Sequence, residues 1–104
     1  MFEIVITATA EQELANIVAH IRRQAPHAAL PWLHRMLAAI QTLRTMPERC
    51  GRAAEADAAG LDVREFLFGR RRGTFRVLFT IHPGLVQVRH IRRAIRGPVP
   101  PGQF

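Results

Sequence analysis

The hydrophobic period switches from helical to strand spacing midway along this chain, and that change confines the fold more than any other feature. Leu14, Ile17, Val18 and Ile21 recur at helical spacing, and so do Leu33, Met36, Leu37, Ile40 and Leu43. Beyond residue 62 the spacing falls to two: Phe75, Val77, Phe79 and Ile81 alternate with Arg76, Leu78 and Thr80. Helical periodicity followed by strand alternation predicts helices and an antiparallel sheet segregated along the chain, which is an α+β fold.

The boundaries follow from local chemistry. Phe2 to Thr7 is β-branched and aromatic-rich, a first strand. Thr9 with Gln12 makes a capping box for the first helix, which stops near Gln24 because Pro26 disfavours helical geometry at Ala25. The second helix ends before Pro47, and either Pro26 or Pro31 opens it. Met46–Gly60 has no apolar stripe and reads as a surface loop with an alanine-rich turn. Val63–Phe68, Thr74–His82 and Leu85–Ile91 are the remaining strands, joined at Gly69–Gly73 and at His82-Pro83-Gly84. The expected order is β-α-α-β-β-β, a helical hairpin packed on one face of a small antiparallel sheet with the opposite face free. One domain is expected over residues 1–96, followed by a Pro/Gly-rich tail, 97–104, that is extended or mobile.

Charge is distributed as unevenly as periodicity. The net charge is +7, and six arginines in residues 1–60 are balanced by six acids. Residues 61–104 hold nine arginines against only Asp62 and Glu65. Such a field favours nucleic acid or an acidic protein as partner. There is no lysine. Arginine's planar fork suits phosphate and carboxylate, but a G/C-rich coding sequence is the simpler explanation of the missing lysine. The single cysteine, Cys50, excludes an intrachain disulfide and suits a reducing compartment. No apolar run approaches the roughly 20 residues that cross a bilayer, and Glu3 stands where a secretory signal carries basic residues, so a cytoplasmic protein without membrane contact is expected.

The segment Val63–Arg93 resembles the RelE/ParE family of toxins from type II toxin–antitoxin pairs. Its marks are Gly73-Thr74-Phe75-Arg76-Val77-Leu78-Phe79-Thr80-Ile81 and the run Val86 to Arg93, with Pro47-Glu48-Arg49-Cys50 also similar. The resemblance implies a toxin neutralised by a cognate antitoxin that wraps a flexible segment around it, as a toxin–antitoxin hetero-oligomer. It implies two alternative targets. RelE-type members cut mRNA on the ribosome, whereas ParE-type members inhibit DNA gyrase.

The residues divide between these readings. RNA cleavage through the 2′-hydroxyl needs a base, an acid and cations for the phosphorane. Arg76 and Arg96 match the arginines of the nucleases, and His90 or His82 is the nearest proton-transfer group, because Ala94 and Ile95 stand where those enzymes place Tyr or His. The chain has no tyrosine. His90 shares strand parity with Val86 and Val88, so a core or rim histidine is the simpler reading. Arg70, Arg71, Arg72 and Arg76 are candidates for phosphate or target binding, with a solvated turn as the alternative for the first three. Arg89, Arg92 and Arg93 are candidates for antitoxin or target contact. His20, His27 and His34 recur every seven residues, but Pro26 and Pro31 interrupt any common face and no acid or Cys completes a set, so neither metal nor other cofactor is expected. Trp32 reads as a packing residue, and Arg49 and Arg52 beside Cys50 are expected to lower its thiol pKa. The leading expectation is a ParE-like gyrase inhibitor. The alternatives are a ribosome-dependent mRNA endonuclease and a non-toxic corepressor scaffold.

Overall fold

A computed structural model describes residues 1–104. Strand β1 (Glu3–Ile6) leads into helix α1 (Ala8–Gln24), then helix α2 (Ala29–Gln41), a short helix α3 (Ala56–Ala59), and strands β2 (Arg64–Phe68), β3 (Phe75–His82) and β4 (Leu85–Arg93). The sheet order is β1-β4-β3-β2. β2, β3 and β4 are antiparallel, as the alternation implies, whereas β1 joins β4 in parallel. The sheet is therefore mixed. Strand periodicity fixes which face a side chain takes but not the direction in which a distant strand returns.

Helix α1 starts two residues earlier than Thr9 and Gln12 suggest. Thr7 is its N-cap, its side-chain oxygen accepting the Ala10 N–H at 3.2 Å, while Gln12 donates to Asn16. The helix ends at Gln24, and Pro26 opens a 3₁₀ turn, Pro26–Ala28, before α2. Pro31 then falls in the first turn of α2, where a missing N–H breaks no intrahelical bond. Leu14 and Val18 of α1, with Trp32, Met36 and Ile40 of α2, pack on Phe75, Val77, Phe79, Val86, Val88 and Ile91 to form the main core.

The second face of the sheet is not free. The strand edge of β2 is met by the loop before α3, with Ala53 N–H donating to the Val63 carbonyl and Glu65 N–H to that of Gly51. This loop and the tail fold beneath the sheet and enclose a second apolar cluster of Ala53, Ala56, Val63, Leu78 and Val99, with Phe104 beside it. Residues 75–80 of β3 are consequently buried on both faces. The tail is seated on this surface with Val99 only 2% exposed, and Pro101–Gln103 forms a 3₁₀ turn. Both departures from expectation have one cause. Short alanine and valine side chains in segments rich in Pro and Gly carry no periodic signal, yet they suit close approach to a sheet.

Candidate functional site

The β3–β4 register skips one residue: Phe79 faces Val88, but Leu78 faces His90, leaving Arg89 as the extra residue on β4. The skip inverts the expected parity. His90 leaves the face of Val86 and Val88 and joins Leu78 on the tail side of the sheet. There it is 1% exposed. Its Nε2 donates to the Gln103 carbonyl at 2.8 Å, and its Nδ1 meets the Glu13 carboxylate at 3.1 Å. β1 has ended by this point of β4, and Glu13 takes the vacated edge, accepting the Ile91 N–H at 3.0 Å.

Arg76 lies on the same face, 8% exposed. Its two terminal nitrogens donate to the Glu55 carboxylate at 2.8 and 2.6 Å, and its Nε donates to Glu65. Glu55 also accepts the Val99 N–H at 2.9 Å. Hydrogen bonding from Arg76, opposed by burial, holds the Glu55 carboxyl down at about 2, and the same pair raises Arg76 above its ordinary value. Arg76 is thus not presented to a phosphate in this structure. One cation is enclosed by two carboxylates.

A cleft of about 590 Å³ opens at the C-terminal end of β4, between α1, α2 and the start of β3. Trp32 and Phe75 line it, in edge-on contact at 5.1 Å, and Arg35, Arg92, Arg93 and Arg96 surround them. Glu13 is its only acid. The Nε atoms of Arg92 and Arg93 are shielded from solvent and have no hydrogen-bond partner. Burial first, then the neighbouring Arg96, pushes Arg92 below its ordinary pKa despite the opposing pull of Glu13. Buried donors without acceptors, beside unbalanced positive charge, describe a seat for an anion.

The sequence-predicted residues separate accordingly. Arg92, Arg93 and Arg96 come together at the cleft. Arg89 lies apart, bonded to Gln87 and to the main-chain oxygen of Phe104. Arg70, Arg71 and Arg72 are exposed at the hairpin tip, where the Arg72 carbonyl accepts from Arg93. His82 is exposed and bonded to Thr80. No cluster of three His, Cys, Asp or Glu side chains is placed to hold a metal. Burial raises the Cys50 thiol, outweighing Arg49 and Arg64, so the expected activation by Arg49 and Arg52 is reversed. Sequence reasoning missed Glu13, Glu55 and Arg35. Glu13 alone left a trace, as an acid four residues before Ile17 on the stripe-bearing helix.

The fold is similar to that of a chain from the chromosomal ParDE toxin–antitoxin system of P. aeruginosa, with a TM-score of 0.74 at 22% identity, over 89% of this chain and 96% of that one. A search of curated proteins returned no match. Residues 4–96 match the family model described as the ParE toxin of the type II toxin–antitoxin system parDE. Both chain halves, helical hairpin and arginine-bearing sheet, fall within that match, and the protein belongs to the ParE toxin family of type II toxin–antitoxin systems.

Proposed function

We propose that this toxin acts by binding and inhibiting DNA gyrase, not by cutting mRNA. The observation that carries the reading is the state of Arg76. A phosphorane needs uncompensated positive charge, and the Arg76 fork is already held by Glu55 and Glu65. His90 is no better placed for proton transfer, because both ring nitrogens are engaged and the ring is buried.

The cleft is the proposed seat of an acidic antitoxin segment, its carboxylates meeting Arg92, Arg93 and Arg96 and its apolar side chains meeting Trp32 and Phe75. The exposed Arg70, Arg71 and Arg72 are the proposed contacts to the target. The test is to induce the toxin without antitoxin and to assay purified material with gyrase and with translating ribosomes. Trapped gyrase–DNA complexes with intact mRNA are expected. Ribosome-dependent mRNA cleavage that disappears in Arg76→Ala would overturn the proposal.

A further inference from the structure

Residues 97–104 cross the second face of the sheet and are fastened at three points. Val99 fills the pocket of Ala53, Ala56, Val63 and Leu78, and its N–H is bonded to Glu55. The Gln103 carbonyl receives the Nε2 hydrogen of His90 at 2.8 Å. The Phe104 ring stands edge-on to His90 at 4.9 Å, and its main-chain oxygen accepts from Arg89 at 3.1 Å. The last two fastenings converge on one histidine whose opposite nitrogen meets Glu13. Glu13 is also the single carboxylate lining the arginine cleft. One side chain therefore belongs to both surfaces.

We infer that the tail is a strap that sets the anion affinity of the cleft, by keeping Glu13 engaged with His90 and out of direct hydrogen-bonding contact with the arginines. The inference rests on the reading of the cleft as an anion seat. With the strap down, the Gln103 carbonyl accepts the Nε2 hydrogen and Nδ1 faces the Glu13 carboxylate at 3.1 Å. Glu13 is then committed to His90 and to the Ile91 N–H, and the Nε atoms of Arg92 and Arg93 stay unpartnered. With the strap lifted, water reaches His90, and a solvent-exposed contact of this kind holds a carboxylate weakly. Glu13 is then free to turn to Arg92 and competes with any anionic ligand. Linkage makes the effect reciprocal: an acidic ligand in the cleft favours the seated strap.

Trp32, the only tryptophan, lines the cleft and reports its occupancy. The full chain is titrated with a hexaglutamate peptide while Trp32 fluorescence is followed, in wild type, in V99D/F104A, in Glu13→Gln and in the combination of all three. Strap release is expected to weaken peptide binding about fivefold or more. Glu13→Gln is expected to bind at least as tightly as wild type and to be indifferent to strap release. Equal affinity with and without the strap overturns the inference, as does the same loss in the Glu13→Gln background, or no binding by wild type at all. If V99D/F104A does not fold, Phe104→Ala alone repeats the test, since it leaves the Val99 pocket filled. Gyrase trapping by the same preparations is a separate readout: trapping with strap-independent affinity sinks the strap and spares the proposed function.

Discussion

Arg76 and Glu55 face each other through two parallel N–H···O bonds of 2.8 and 2.6 Å, on the sheet face opposite α1 and α2 and largely shielded from solvent. This geometry is the strong, bidentate form of the ion pair. It converts the residue best placed for chemistry into a fastening between β3 and the loop beneath it. Replacing Glu55 with Gln leaves the guanidinium buried with half its compensation, and breaking such pairs costs about 3–5 kcal/mol. A lowered urea midpoint is expected for Glu55→Gln. A double change to Arg76→Met with Glu55→Leu should recover most of the loss, and a double variant as unstable as the single one would refute this account.

Acid should act through the same pair. The Glu55 carboxyl, ordinarily at 4.5, is held at about 2 in the folded chain by hydrogen bonds from Arg76. A depressed folded value means that the unfolded chain binds the proton first. The stabilisation is therefore complete above about pH 4.5 and declines as the pH falls towards about 2. Urea midpoints measured between pH 6 and pH 2 should drop for wild type across that window. Glu55→Gln should show a flatter profile, and parallel profiles would contradict the assignment.

Gly69 holds the hairpin that presents the three exposed arginines. Its φ is +96°, and an added Cβ would lie 2.4 Å from the Gly73 carbonyl oxygen, a backbone atom that cannot move aside cheaply. Gly69→Ala is expected to destabilise by about 2 kcal/mol or more and to raise amide exchange in the β2–β3 turn. Unchanged exchange there would show that the turn can rearrange at little cost.

Met46 makes the opposite case. It has φ 48° and the residue is 63% exposed, so the left-handed backbone is strained and little packing compensates. Met46→Gly is expected to raise stability by about 0.5–1 kcal/mol, seen as a higher Tm. A lower Tm would mean that the exposed side chain contributes more than the strain removes.

The cleft arginines should be separable from Arg76 by function. Arg92→Ala and Arg93→Ala are each expected to weaken antitoxin binding about tenfold, roughly the worth of a hydrogen bond to a charged group, and to reduce its salt dependence. Arg76→Ala should act mainly on stability. Calorimetric titration of the antitoxin into the three variants decides this, and equal losses in all three would merge the two sites into one.

The amino-acid sequence by itself determined the main architecture. Hydrophobic period needs no distant partner, so Leu14, Val18, Met36 and Ile40 mark two helices, and Phe75, Val77 and Phe79 mark the strand they cover. The arginine excess beyond residue 60 was equally legible, because charge is read by counting. What those arginines face was decided only by tertiary structure. One skipped register position at Arg89 moves His90 from one side of the sheet to the other. A loop without periodicity brings Glu55 to Arg76, and a tail rich in Pro and Gly closes over both. Local patterns specify faces within an element. Pairing across 21 residues, as between Glu55 and Arg76, or across 77, as between Glu13 and His90, depends on how the elements meet, and that is where charge becomes either a site or a clasp.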